Sequence, residues 1–211
     1  MSKFSASTAI RMIRQRGVAV VGLLFLFFCI LLPAPSRAGG PTEQMRTTLD
    51  KVLAIVRNSN SNSEAKKEDL QGRLAEVIYP RFDFTEMAKR SLGSHWGRRS
   101  AEEQREFVKV FTGLLGRTYA DRIESNNTQS ILYTREVEDQ NFAEVDTKIV
   151  TDKREELSIN YKLHSVNNEW KVYDLVIEDI SLVNNYRSQF DRVIARSSFE
   201  ELIRVMKAKQ S

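Results

Sequence analysis

Cysteine is almost missing from this chain. Of 211 residues only Cys29 is one, and it stands inside an apolar run near the N-terminus. Disulfide stapling and thiol chemistry are therefore excluded for everything after that run, which must hold together by core packing. Histidine is nearly as scarce, with His95 and His164 far apart and no cysteine near either, so a zinc site has no ligand set. No HExxH, nucleophile elbow, phosphate loop or dinucleotide fingerprint occurs. His95 falls in a polar loop (LGSHWGRRS), and alternation places His164 on the wet face of a strand. No catalytic residue, metal or cofactor is expected.

Negative charge is absent from the first 38 residues, which hold Lys3, Arg11, Arg14, Arg16 and Arg37. Val18 to Leu32 is an unbroken apolar run of 15, ended by Pro33 and Pro35, with Ser36 and Ala38 as small residues at a cleavage position. A basic start, a short apolar core and a small-x-small site describe a secretory signal. The run is shorter than the ~20 residues that span a bilayer. Residues 1–38 are thus expected to be a cleaved signal peptide and residues 39–211 a single domain. Without the leader, 27 basic residues face 28 acidic ones, a net charge of −1. The whole-chain pI of 9.2 therefore describes the leader, and no nucleic-acid partner is expected.

After the leader, apolar residues recur at helical spacing. Met45, Leu49, Val52, Leu53 and Val56 form one stripe, and Leu70, Leu74, Val77 and Ile78 form another that stops at Pro80. Asn58 to Ser63 reads as a loop between them. Asp83 is placed to cap a short helix ending at Leu92-Gly93, and Ser100 to Glu103 is a capping box opening the longest helix. Beyond Asn127 the period changes to two. Ile131, Tyr133 and Val137 alternate, as do Ala143 to Ile149, Leu157 to Leu163, and Trp170, Val172 and Val176. Short turns between these runs predict a four-stranded antiparallel meander. A helix from about Ser181 follows, then one capped by Ser197-Ser-Phe-Glu200. Helices, then strands, then helices define an α+β fold, a curved sheet packed with helices.

Asp174 is the one suspicious carboxylate. It is expected to share a face with Trp170, Val172 and Val176, where burial would suit a general base. A structural role is favoured over that one: bonds from the following helix start, or an ion pair with Arg187. Gly113 and Gly116, inside the longest helix, each cost about 1 kcal/mol against Ala, which implies close packing in preference to room left open. Periodicity alone does not separate a lined hollow from a solid core.

FDFTEMAKRSLGSHWGRRSAEEQREFVKVFTGLLGRTYADRIE (residues 82–124) resembles the MlaC or toluene-tolerance (Ttg2-type) family of periplasmic phospholipid-binding proteins. So does WKVYDLVIEDISLVNNYRSQF (residues 170–190), with Trp170, Tyr173-Asp174, Ile177-Glu178, Ser181-Leu182-Val183, Asn185-Tyr186-Arg187 and Phe190. One departure is Asp179, where the family often has Gly; Asp tolerates the left-handed conformation better than most residues. The resemblance implies a nuclear transport factor 2-like fold enclosing an apolar pocket for acyl chains, in the periplasm. It also implies two partners, an inner-membrane ABC-type lipid transporter with an MCE-domain protein and an outer-membrane lipoprotein–porin complex. A hopanoid-like apolar lipid is the alternative ligand, and a superfamily enzyme using Asp174 is the more distant alternative. By face assignment, Phe107, Phe111, Leu114, Val145, Ile149, Ile159, Tyr161, Trp170, Val172 and Tyr186 are expected to line the lipid-binding pocket.

Overall fold

A computed structural model describes residues 39–58, 64–125 and 128–209. The expected signal peptide and most of the Asn58–Ser63 loop lie outside the described residues. Helices α1 (Pro41–Arg57) and α2 (Glu64–Ile78) come first, followed by a 3-10 turn at Tyr79–Arg81. Helix α3 (Phe84–Leu92), a 3-10 stretch (Gly93–Arg98) and the long α4 (Ala101–Ser125) lead to the sheet. Strands β1 (Thr128–Asp139), β2 (Phe142–Thr151), β3 (Glu156–Val166), β4 (Glu169–Ile177) and β5 (Ile180–Ser181) form an open, curved antiparallel meander in sequence order. Helices α5 (Leu182–Arg196) and α6 (Phe199–Ala208) close the chain.

The helix starts follow from local chemistry. Asp83 accepts the Glu86 N–H at 2.9 Å, and Ser100 and Glu103 bond each other's backbone amides reciprocally. Gly93 ends α3 with φ +57°, a conformation that a Cβ would strain. The α6 cap is Ser198, which accepts from Glu201 N, one residue later than the Ser197 start expected from sequence. Helix α1 has no side-chain cap of its own; Glu136 on β1 supplies a carboxylate to Thr42 N at 2.8 Å.

The sheet has five strands, not four. Ile180–Ser181 is too short to show any alternation, and it is folded back on β4 by Glu178 and Asp179, both left-handed with φ 46° and 64°. Asp179 thus takes the conformation that its short polar side chain tolerates. Two irregularities re-aim side chains. In β4, Leu163 pairs with Val172 but Lys162 pairs with Asp174, so Tyr173 is an extra residue, a β-bulge. Trp170, Val172, Leu175 and Ile177 consequently share the inner face, while Asp174 and Val176 turn to the outer one. This corrects the shared face expected for Asp174 with Trp170 and Val172. In β1 a similar shift after Tyr133 puts Val137 outside and half-exposed, instead of in line with Ile131 and Tyr133.

Three groups of buried residues result. Helices α3, α4, α5 and α6 pack around Phe107, Phe111, Phe190 and Leu202. Met45 of α1 sits on the inner face of the sheet with Val145, Tyr161, Leu163, Trp170 and Val172. Val52 of α1 meets Leu70 and Leu74 of α2. A polar latch fixes the first half of α1 to β4: Arg81 donates to Gln44 Oε1 (2.8 Å), Thr48 Oγ1 (3.1 Å) and Trp170 O (2.6 Å). Gln44 Oε1 also accepts Trp170 N at 3.0 Å. Burial lowers the Arg81 pKa, Glu169 partly opposes this, and the three acceptors satisfy the guanidinium in place of water.

Candidate functional site

Half-buried Phe82 and Leu175 pack against both the helical and the sheet group, and the three groups are otherwise separate clusters. Between them lies a cavity of about 760 Å³. One wall is α1, whose whole predicted stripe (Met45, Leu49, Val52, Leu53 and Val56) lines it together with Leu74 and Ile78 of α2. Leu49, Leu53 and Val56 are half-buried and line this space, while Leu49 also packs on the sheet group and Val56 on the α1–α2 group. Opposite, the sheet contributes Ile131, Ile149, Ile159, Tyr161, Leu175 and Ile177. The helical pack closes a third side with Phe82, Phe84, Met87, Leu182 and the stretch of α4 bearing Gly113, Leu115, Gly116 and Tyr119. Both glycines line the cavity, and Gly116 also allows close packing, since a Cβ there would come within 3.2 Å of Tyr79 Oη.

The lining is mostly apolar, and its three charged side chains, Arg117, Glu155 and Glu156, are exposed. Tyr161 is buried, and desolvation first, then the neighbouring Tyr133 phenol, pushes its pKa up against a smaller opposing effect of its bond with Thr147. Burial likewise pushes Tyr133 up to about 12. Both phenols stay protonated at physiological pH. Polar groups collect elsewhere on the lining: Thr151, Glu155 and Glu156 at the β2–β3 turn, Arg117 on α4, Thr128 on β1 and Gln71 on α2. The volume lies within the roughly 300–1,000 Å³ usual for ligand sites.

Of the ten residues expected to line the pocket, the structure puts Ile149, Ile159 and Tyr161 on its wall. Phe107, Phe111, Leu114 and Tyr186 belong to the helical pack. There Phe107 stacks on Phe111 at 5.8 Å, and Phe111 meets the edges of Tyr186 and Phe190 at 5.2 and 5.6 Å. Val145, Trp170 and Val172 share the inner sheet face but are covered by Met45. The residues that sequence reasoning missed are the α1 stripe and Phe82, Phe84 and Tyr79. The signal was present: a five-residue stripe on the first helix, and a long helix thinned by two glycines.

Asp174 does not line the cavity. It is buried on the outer side of β4, where Oδ2 accepts the Ser181 hydroxyl at 2.6 Å and Oδ1 accepts Val183 N at 3.0 Å. Arg187, expected to pair with it, is exposed and lies against Gly93, where an added Cβ would fall 2.8 Å from Nε. The carboxylate thus anchors the start of α5, where the helix dipole favours negative charge. Asp174→Ala should lower stability by about 2–3 kcal/mol, since a charged acceptor is lost and a buried amide is orphaned. Asp174→Asn should recover part of that loss; denaturant melts of the three proteins measure both. His164 is not free surface either: Nε2 lies 3.0 Å from Asp83 Oδ2, and the ring packs edge-on against Tyr173. Among the described residues no group of three His, Cys, Asp or Glu is placed to hold a metal ion.

A meander sheet, a helical pack and a helix pair around an oily hollow define an α+β protein with an internal apolar cavity. The chain belongs to the MlaC family, whose model, described as "MlaC protein", matches residues 46–208. It is 23% identical over 176 residues to the intermembrane phospholipid transport system binding protein MlaC of Haemophilus influenzae, covering 81% of this chain and 82% of that protein. It is 21% identical over 187 residues to the toluene tolerance protein ttg2D of Pseudomonas putida, covering 88% and 84%. Among solved structures it is similar to the phospholipid-binding protein from Ralstonia solanacearum in complex with a phospholipid. That match has a TM-score of 0.72 and 25% identity and covers 82% of this chain and 97% of the other. Among the described residues no helix is long and apolar enough to cross a membrane.

Proposed function

We propose that this protein is a periplasmic phospholipid carrier that hides acyl chains in the cavity between α1, α2 and the sheet while the headgroup stays at the polar rim. The observation behind this reading is the 760 Å³ apolar cavity bounded by half-buried Leu49, Leu53 and Val56. The physical need is large. Each methylene exposed to water costs about 0.8 kcal/mol, so two chains of about fourteen methylenes represent on the order of 20 kcal/mol. A dry hollow replaces the bilayer for the crossing, and no covalent chemistry is required.

The similarity to an intermembrane phospholipid transport system binding protein and to a phospholipid-binding protein holding a phospholipid supports the same reading. The partners we propose are those the family resemblance implies, an inner-membrane ABC-type transporter with an MCE-domain protein and an outer-membrane lipoprotein–porin complex. Residues 1–38 would direct export and be removed, leaving 39–211 as the lipid-binding domain with a nuclear transport factor 2-like fold. The test is an organic extract of protein purified without detergent, read by mass spectrometry. Phospholipid at about one molecule per protein is expected; a hopanoid-like lipid in its place would change the ligand class. An empty extract, with no uptake of labelled glycerolipid by the delipidated protein, would overturn the reading.

A further inference from the structure

The cavity is apolar within, but two unlike charges stand on its lining. Arg117 projects from α4 and Glu155 from the β2–β3 turn; both are exposed, and neither has an ion pair among the described contacts. Neighbouring Glu156 also lines the cavity, but its carboxylate is bonded to Lys148 at 2.8 Å, a bond that raises the Lys148 pKa. Thr151 Oγ1 accepts the Glu155 N–H at 3.2 Å and so pins the backbone from which the Glu155 side chain projects. The lining therefore offers one exposed cation and one exposed anion, neither of them ion-paired among the described contacts.

We propose that this pair makes the carrier selective for zwitterionic, amine-bearing phospholipid headgroups over anionic ones. The inference rests on the carrier reading above and goes beyond it in naming the headgroup. With the chains buried, the phosphodiester is left at the rim, where Arg117 meets its charge and offers a bidentate donor fork. A phosphatidylethanolamine then carries a primary ammonium a short way further out, which Glu155 accepts. A phosphatidylglycerol brings the same phosphate but no cation, so Glu155 faces net negative charge. Exposed pairs of this kind are worth little in absolute terms, and the selectivity expected is about three- to fivefold.

Delipidated full-length mature protein is incubated with vesicles of equal phosphatidylethanolamine and phosphatidylglycerol with identical acyl chains, reisolated, and extracted for mass spectrometry. Enrichment of phosphatidylethanolamine by about threefold or more supports the proposal, as does a return of the bound lipid to the vesicle ratio in Glu155→Gln. The bias should also shrink in high salt, where exposed charges are screened. Arg117→Gln should reduce uptake of both lipids alike. Uptake in the vesicle ratio by both wild type and Glu155→Gln would overturn headgroup selection and leave lipid carriage standing. No uptake of either lipid would overturn carriage and selection together.

Discussion

Trp in place of Leu49 or Leu175 should remove at least four-fifths of the lipid recovered with the protein, with the melting temperature within a few degrees of wild type. The two residues stand on opposing walls, one on α1 and the other on the inner face of β4. In a solid core such a substitution forces off-rotamer packing and costs about 1–3 kcal/mol. Here the added ring enters unfilled space, so it takes volume from the ligand and little from the fold. Indole also buries apolar area of its own against the far wall, which offsets residual strain. Lipid recovery by mass spectrometry and a thermal melt, taken on the same sample, separate the two effects. A variant that melts far below wild type would mean that these walls already touch, and the cavity reading would fail with it.

Phe111→Ala should do the reverse. Phe111 is fully buried and contacts Phe107, Tyr186 and Phe190 at once, and none of these four lines the cavity. Truncation deletes a large apolar side chain and leaves a hole in a rigid helical pack, a loss of about 3–5 kcal/mol. For a domain of this size that corresponds to a fall of roughly 6–20 °C in melting temperature. At low temperature, where the variant is still folded, it should hold as much lipid per molecule as wild type. Lipid loss with an unchanged melt would place the ligand among the aromatic residues instead.

The contrast shows what the sequence makes legible and what it leaves hidden. Element order, the caps at Asp83, Ser100 and Gly93, and the meander from Ile131 to Val176 all follow from local chemistry that acts within a few residues. The location of the hollow does not. Helix α4 is buried on adjoining faces: Phe107 and Phe111 meet α5, while Gly113, Leu115 and Gly116 meet the cavity. Apolar periodicity merges the two faces into one stripe and favours the bulkier residues. The Tyr173 bulge is hidden for a different reason. One inserted residue leaves the alternation intact on either side of it and exchanges the faces, so Asp174 reads as neighbour to Val172 although it points the other way.

The latch of Arg81, Gln44, Thr48 and Trp170 divides labour within the molecule. It secures the beginning of α1, and the four-helix pack stands without help from the remainder of that helix or from α2. Side chains beyond Thr48 on this outer hairpin are therefore open to drift in size without endangering the scaffold. Over evolutionary time, descendants of such a chain would be able to widen or narrow their hold by altering a single pair of helices, leaving the foundation untouched.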